Sequence, residues 1–364
     1  MSNNWASAEL IEHQSEELER LQSMGMGRRR IAKYIEELTG RGCNPGTVGI
    51  ALSKIGLHSP RKMATRIDIK EEPLESCEMP IDELIESRIQ ASQRKIKSTA
   101  KHKKTIELPA EPVGVAVFGD VHIDNNGCDF KALMSHVRLF QETEGILAVQ
   151  IGDMQDNWIG RLQRNFADAS ITASDGWRLS EWLLGSGEND AGLQWLALIG
   201  GNHDSWANAP GLDPLSWLSK RCGIIAYAPD EIRLTLTWKG HPDLEPIVWI
   251  LRHHFSGMST FHPTHGPHKE AMLDGECHVT VAGHIHQWGE LTTEQRHGRI
   301  NTALRVRGYK RADSYAKMKG FYEQDHGESC LVVLDPFADG PGRVTTFWDL
   351  KRGCEFLTML RGRK

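Results

Sequence analysis

Histidines, carboxylates and one asparagine recur at one kind of place in this 364-residue chain, directly after short apolar runs. "PVGVAVFGDVH" ends in Gly119, Asp120 and His122, and "GILAVQIGDMQDN" in Gly152, Asp153, Asp156 and Asn157. "LALIGGNHDSW" turns through two glycines into Asn202, His203 and Asp204. "PIVWILRHHF" stops at His253 and His254, and "CHVTVAGHIH" at Gly283, His284 and His286. Carboxylate oxygens, an amide oxygen and imidazole nitrogens, with no thiolate among them, suit manganese, iron, zinc or nickel better than a purely hard magnesium or calcium site or a soft copper site. Asp120, His122, Asp153, Asn202, one of His253 and His254, His284 and His286 make seven donors. That is too many for one such ion, whereas two ions sharing Asp153 would each have four protein donors and room for water.

The elements that position these donors follow from the same runs. Each has the length and β-rich composition of a buried strand. Helical stretches such as "DFKALMSHVRLFQE" and "DGWRLSEWLLG" fall between them, so β and α elements are expected to alternate around a largely buried sheet. In such folds the carboxyl ends of the strands form the ligand crevice, and the five donor sets would meet at one rim. Downstream, "ALRVRGYKRADSYAKMKGFYEQ", "SCLVVLDP" and "RVTTFWDL" are expected to complete the second sheet, and the basic tail "MLRGRK" to fray.

The ordered series G-D-x-H, G-D-x-x-D-N, G-N-H-D, a strand-terminal histidine and G-H-x-H, from Gly119 to His286, resembles the motif set of the calcineurin-like metallophosphoesterases. The resemblance implies an α/β fold, a four-layer αββα sandwich, and a phosphoesterase holding two divalent metal ions, manganese ahead of iron, zinc or nickel. Carried over by motif, Asp120, His122, Asp153 and His286 would hold the first ion, and Asp153, Asn202, His253 and His284 the second. Water between the ions would attack phosphorus in line with the leaving oxygen. His203 would stabilise the developing charge or protonate the leaving group, and Asp204 would orient it. Strand alternation puts only one of His253 and His254 on the metal side. In family members with a context like "RHHFSG" the ligand directly follows the arginine, which selects His253 and leaves His254 packed or facing solvent. Asp156, Asn157 and Arg161 either contact the scissile phosphate or support the metal-binding loop. His262, His265 and His268 read as loop histidines at the cleft mouth, with His265 the one that could touch substrate. Trp158, Trp177, Trp182, Trp195 and Trp206 either pack in the core or offer an indole for base stacking.

Residues 15–57 carry a different pattern. Leu18 and Leu21, then Ile31, Tyr34, Ile35 and Leu38, then Val48, Leu52 and Ile55 have helical spacing, which predicts three short helices. "MGMG" and "TGRGCNPG" separate them, with Asn44 and Pro45 as N-cap and first-turn residue. This stretch resembles the helix-turn-helix module of resolvase-type and transcriptional DNA-binding proteins, with "RRRIAKYI" as supporting helix and "PGTVGIALSKIGL" as recognition helix. That resemblance implies phosphate contacts from Arg28, Arg29, Arg30 and Lys33, groove contacts from Asn44, Thr47 and Lys54, DNA as a partner, and a homodimer. A small helical docking or oligomerisation element is the alternative.

From about 58 to 107 the composition is that of a charged linker with one helix at "IDELIESRIQASQRKIKS". Residues 92–104 hold Arg94, Lys95, Lys97, Lys101, Lys103 and Lys104 and no acid, a run that either attracts phosphate backbones or solubilises a tether. The expected division is 1–60 helical module, 61–110 linker and 111–364 phosphoesterase domain. The net charge of -5 conceals 18 lysines and arginines against 16 acids in residues 1–107, and 25 against 32 in the remainder. Seven cysteines without C-x-x-C spacing fit reduced thiols. No basic segment followed by an apolar stretch opens the chain and no long apolar span occurs, so a soluble cytoplasmic protein without a membrane partner is expected.

Together these readings point to hydrolysis of phosphodiester bonds in nucleic acid, targeted by the N-terminal module. The combination is similar to phage and prophage phosphoesterases with such extensions, and more distantly to the nuclease subunit of double-strand-break repair. A phosphatase or phosphodiesterase for small nucleotides or phosphoproteins, with the module as a docking element, is the alternative. A DNA-binding regulator with a dead site is opposed by the complete donor set.

Overall fold

The computed structural model describes residues 4–57, 79–99, 102–158, 162–165, 169–185, 187, 189–208, 212–257, 259, 261–295, 298–311 and 324–362. Arg161 and Lys101 therefore lie outside the described residues, as do most of "KEEPLESCEMP", positions 312–323 and the last two residues of the basic tail. The chain divides into two compact units, Met1–Leu84 and Ile85–Lys364.

In the first unit, α1 (Ser7–Ser23), α2 (Arg28–Thr39) and α3 (Pro45–Lys54) enclose Leu10, Leu18, Leu21, Ile31, Ile35, Val48 and Leu52. α2 ends on Gly40 at φ 68°, the left-handed conformation that a glycine adopts without a Cβ penalty. The Asn44 side chain accepts a hydrogen bond from the Gly46 N–H at 2.7 Å and so caps α3 ahead of Pro45. Two details depart from the sequence expectation. α1 starts at Ser7 and is broken at Gln14, which brings Leu10 into the core. Leu38, expected inside, is 57% exposed. The 19-residue helix α4 (Ile81–Thr99) spans the division between the units.

Two six-stranded sheets build the second unit. The first runs in the order β12-β11-β2-β3-β4-β5, made of β2 (Val113–Phe118), β3 (Ile146–Gln150), β4 (Trp195–Ile199), β5 (Ala226–Ala228), β11 (Cys330–Leu334) and β12 (Val344–Phe347). β2 through β5 are mutually parallel, and β11 closes antiparallel on β2. The second sheet is β1-β6-β7-β8-β10-β9, from β1 (Lys103–Leu108), β6 (Glu231–Trp238), β7 (Ile247–Arg252), β8 (Val279–Ala282), β9 (Gly289–Glu294) and β10 (Ile300–Arg305). Val115, Val117 and Ile151 share one buried cluster with Leu234, Leu236, Trp249 and Val281, so the two sheets pack face to face.

Helices cover the outer faces. α5 (Phe130–Gln141), α6 (Ala173–Leu184), α8 (Pro214–Arg221) and α10 (Leu350–Arg361) bury Leu133, Val137, Leu183, Leu218 and Leu357 with the outer residues of the first sheet. α9 (His265–Asp274) covers the second through Ala271, Cys277 and Ala282. The fold is thus the expected four-layer α/β sandwich. β2, β4 and β11 are buried along their whole length and β3 at all but its first residue, which is why they read as continuous apolar runs instead of alternating ones.

Two assignments are corrected. Lys103–Leu108, placed in the linker, is an edge strand parallel to β6. Only Ile106 and Leu108 face the core while Lys103, Lys104, Thr105 and Glu107 are exposed, so the charged alternation of a one-sided edge strand looks like linker in sequence. "SCLVVLDP" and "RVTTFWDL" form β11 and β12 in the first sheet, beside β2, and not in the second, which β9 and β10 complete.

Candidate metal centre

β2, β3 and β4 are adjacent and parallel, so their carboxyl ends carry Asp120, Asp153 and Asn202 to one rim; β7 and β8, adjacent and parallel in the facing sheet, carry His253, His284 and His286 to the same place. The chain must turn sharply there. Among the described residues six non-glycines have positive φ: Asp120 (46°), His122 (45°), Asp153 (53°), Asn157 (42°), His284 (75°) and His286 (50°). Left-handed backbone costs an L-residue roughly 1–2 kcal/mol. Five of these six are sequence-designated ligands, so the strain is concentrated where donors have to converge.

Three donor groups result among the described residues. Asp120, His122 and His286 offer ligand atoms within 4.8 Å of one another, and so do Asp153, His253 and His284; His122, Asp156 and His203 form a third group that overlaps the first at His122. Asp153 stands between them: its Oδ2 lies 3.1 Å from His253 Nε2 and 4.0 Å from His122 Nε2, while its Oδ1 accepts the His203 N–H at 2.9 Å. Asn202 Oδ1 is 3.1 Å from His253 Nε2, and His284 Nδ1 is 3.2 Å from the same nitrogen. All seven designated donors are therefore brought together, with one carboxylate shared between two groups.

Hydrogen bonds behind the donors decide which lone pairs face inward. His253 Nδ1 donates to the Ile151 carbonyl at 2.9 Å, which leaves Nε2 turned to Asp153, Asn202 and His284. His122 Nδ1 lies 2.7 Å from Asp156 Oδ1 as an ion pair outside hydrogen-bonding angles, and its buried Nε2 has no hydrogen-bonding partner among the described residues. A buried imidazole nitrogen without a partner is costly unless it is a ligand atom. Both Asp120 oxygens accept the His284 N–H at 2.9 Å. Close approach is possible because two neighbours lack a Cβ: one on Gly283 would sit 2.1 Å from Asp120 Oδ2, and one on Gly201 2.1 Å from Asp153 Oδ1. The fit to divalent cations rests on this donor chemistry and on the unpartnered His122 Nε2.

Electrostatics in the cluster follow from burial and pairing. Burial pushes the Asp120 carboxyl up to about 6. Burial works against a charge on His253, yet Asp153 and Asp120 outweigh it and hold the ring up to about 10; the same pairing keeps Asp153 ionised despite burial.

Asp204 is corrected. No hydrogen bond joins it to the His203 ring among the described residues; its carboxylate is buried and accepts the backbone N–H groups of Asp153 (2.7 Å), Gly201 (2.8 Å) and Met154 (3.0 Å), tying the β3 turn to the start of α7 (Asn202–Trp206). The His203 ring is held instead by its Nδ1 against the Asp156 carbonyl at 2.5 Å and by Trp206 and Trp158, whose rings lie 4.3 and 4.7 Å away. Burial lowers His203 to about 4.

The other designated residues divide clearly. His254 is exposed, its ring 4.7 Å from that of His284. His262 and His265 are exposed, His268 is half-buried, and none of the three joins a donor cluster among the described residues. Asp156 supports the metal-binding loop through His122 and is saturated by Lys310 Nζ at 2.9 Å, Asn125 Nδ2 at 2.5 Å and Trp158 Nε1 at 3.0 Å. Trp158 and Trp195 are buried and Trp177 and Trp182 pack against the core, which leaves the half-buried Trp206 beside His203. Arg28, Arg29, Arg30, Lys33, Asn44 and Lys54 are exposed and Thr47 half-exposed on the first unit.

Sequence reasoning missed Lys310 and Asn125, which fix Asp156, and Arg305. The Arg305 guanidinium is buried, with Nε donating to the Pro263 carbonyl at 2.6 Å and an Nη to that of Gly283, so that it braces the turn before His284. Neither Arg305, at the end of a strand that also carries Asn301 and Thr302, nor Lys310 left a signal in the sequence.

No protein-family model matches the chain, and no curated protein does. Solved structures do. A predicted phosphoesterase from Streptococcus pneumoniae TIGR4 aligns over 65% of this chain and 97% of its own at 13% identity and a TM-score of 0.30. Vacuolar protein sorting 29 from Cryptosporidium parvum aligns over 65% and 96% at 14% identity and 0.33. A calcineurin-like phosphoesterase from Bacillus subtilis aligns over 62% and 85% at 12% identity and 0.34. At these identities and scores the likenesses carry no weight for substrate or mechanism, which have to come from the site itself.

Proposed function

We propose that this chain is a dinuclear metal-dependent phosphoesterase of the calcineurin-like type that hydrolyses phosphodiester bonds in nucleic acid. The observation that carries the reading is the pair of donor clusters, Asp120/His122/His286 and Asp153/His253/His284, with Asp153 between them and Asn202 beside the second. Manganese is the ion proposed, and iron, zinc or nickel would suit the same mixed N/O donors. Divalent cations held there supply Lewis-acid activation of a phosphoester and a nucleophile at neutral pH.

His203 lies at the edge of this cluster, its ring 5.0 Å from that of His122. With Nδ1–H on the Asp156 carbonyl, the neutral ring presents the Nε2 lone pair outward, and it must take up a proton before it can donate one to a leaving oxygen. A bound phosphate's negative charge favours that uptake. Asp204 acts indirectly, by holding the backbone that carries Asp153 and His203.

Nucleic acid as substrate is supported by the cations exposed along α2 and α3 of the first unit, which we take as a helix-turn-helix-like DNA-binding module in a cytoplasmic protein. Arg28, Arg29, Arg30 and Lys33 would meet phosphates, and Asn44, Thr47 and Lys54 the groove. The test is hydrolysis of bis-p-nitrophenyl phosphate, p-nitrophenyl phosphate and labelled single- and double-stranded DNA, with manganese and EDTA arms and a His203→Ala control. Diester and DNA cleavage lost in EDTA and in the variant is expected. Cleavage of the monoester alone would replace the nuclease with a phosphatase for small nucleotides or phosphoproteins. A salt-sensitive gel shift that survives deletion of residues 1–60 would remove the DNA-binding role of the module.

A further inference from the structure

β10 ends at Arg305, which the parallel register sets level with Ala282 at the end of β8, one residue before the turn that carries His284. The Arg305 side chain is 2% exposed, and among the described residues no carboxylate forms an ion pair with it. Arg307, two residues on and equally buried, pairs with Glu328 at 2.7 Å. Burial lowers the Arg305 guanidinium to about 10, with Asp120 opposing the shift, so it stays charged at neutral pH. A buried cation without a counter-ion is costly, and its hydrogen bonds have to account for its place in the fold.

Nε donates to the Pro263 carbonyl at 2.6 Å and Nη1 to the Gly283 carbonyl. The Gly283 carbonyl also accepts the Ile285 N–H at 3.0 Å. That bond spans His284, whose φ is 75°, and so closes a γ-turn of the rare, strained hand. The Gly283 N–H donates in turn to the His253 carbonyl at 3.1 Å. Gly283 is therefore bonded to the backbone of one ligand of the second cluster and runs directly into another. Of the first cluster only His286 belongs to this segment, beyond the turn. A strained turn persists where its surroundings over-determine it, and the planar Arg305 fork, anchored on Pro263, fixes the carbonyl on which this turn closes.

We infer that Arg305 is a positioning residue for the second metal ion: by holding Gly283 it keeps the His284 and His253 rings turned toward Asp153 and Asn202. The inference rests on the two-ion reading of the site. A lysine at 305 keeps the charge but has no planar fork to hold two carbonyls at once.

The test is calorimetric titration of the full chain with manganese. Arg305→Lys should bind one ion tightly in place of two, with circular dichroism unchanged. Backgrounds limited to one site identify the ion that is lost: His122→Ala leaves the second cluster intact and His253→Ala the first. Arg305→Lys should weaken binding about 10- to 100-fold in the His122→Ala chain and by no more than about threefold in the His253→Ala chain. Arg307→Lys, which alters an equally buried arginine bonded to Glu328 and the His326 carbonyl, should leave both ions in place. Should the lysine variant fail to fold, Arg305→Gln, which removes the buried charge and cannot hold both carbonyls, is expected to lose the same ion. Two ions retained at unchanged affinity, equal weakening at both sites, or the same loss in Arg307→Lys would each overturn the role of Arg305. An unaltered chain that binds no manganese would remove the two-ion reading, and this role with it.

Discussion

Asp156 places one carboxylate oxygen 2.7 Å from His122 Nδ1 and its backbone carbonyl 2.5 Å from His203 Nδ1, so one residue positions both an imidazole of the first donor cluster and the imidazole at its edge. The carboxylate is buried, and His122 and Lys310 hold it ionised against that burial. Asp156→Asn should lower metal affinity about 10- to 100-fold, the usual effect of losing a carboxylate behind a ligand histidine, and should destabilise the fold by roughly 3 kcal/mol because the Lys310 ammonium loses its buried counter-charge. Isothermal titration with manganese and urea unfolding separate the two effects. Asp156→Asn/Lys310→Met should recover part of the stability and none of the affinity; recovery of both would mean that His122 does not depend on Asp156.

Glycine at 283 and at 201 is required by packing against the ligands themselves. A methyl on Gly283 collides with Asp120, which serves one cluster, while a methyl on Gly201 collides with the shared Asp153. Gly283→Ala should bind one metal per chain in place of two, and Gly201→Ala should bind neither tightly, as read by elemental analysis after gel filtration. Gly27→Ala, which meets nothing within 4 Å, is the control and should keep the full complement.

What was legible in the chain, and what was not, follows from the range of the interactions. Asp120, Asp153, Asn202, His253, His284 and His286 could be read because each closes an apolar run, and parallel strands in adjacent positions must bring such ends together. β1 was illegible because an edge strand with two inward residues has no apolar run to notice. Sheet membership of β11 was illegible because pairing with β2, more than 200 residues earlier in the chain, leaves no local trace. Asp204 was misread for the opposite reason. Its sequence neighbour is His203, but at the start of α7 the two side chains diverge, and the carboxylate turns back to the amides of Asp153 and Met154. Lys310 reaches Asp156 from 154 positions away, and nothing in its own neighbourhood distinguishes it from other surface cations.

Metal removal should be visible in stability as well as in activity. Five left-handed ligand residues and a cluster of like-charged carboxylates are tolerated in the fold, and cations binding only the folded chain offset that cost. At a free metal concentration about 1,000 times the dissociation constant the stabilisation is about 4 kcal/mol. EDTA should lower the thermal midpoint by several degrees, reversibly on adding manganese, in scanning calorimetry. An unchanged midpoint with hydrolysis abolished would mean that the ions bind folded and unfolded chains alike.

Away from the site, His278 gives the fold a pH dependence of its own. Its Nδ1 accepts the Val248 N–H at 3.1 Å, which places the proton of the neutral ring on Nε2, 3.5 Å from Glu245. Burial lowers its pKa to about 4; Glu245 opposes this, but that carboxylate is half-exposed and shared with Arg299 and Arg343, whose positive charges also disfavour a cation here. In the unfolded chain the ring titrates near its ordinary value of about 6.5. The folded state therefore binds the proton less readily than the unfolded state, so the contribution is complete above about pH 6.5 and is lost as the pH falls from there towards 4. Urea unfolding of the metal-free protein should show His278→Gln losing about 2 kcal/mol less than the unaltered chain between pH 7.5 and 5. The glutamine keeps an acceptor within reach of the Val248 amide and has no titrating group, while every other histidine titrates identically in both proteins. Parallel stability curves would show that His278 is protonated in the folded state as readily as in the unfolded one.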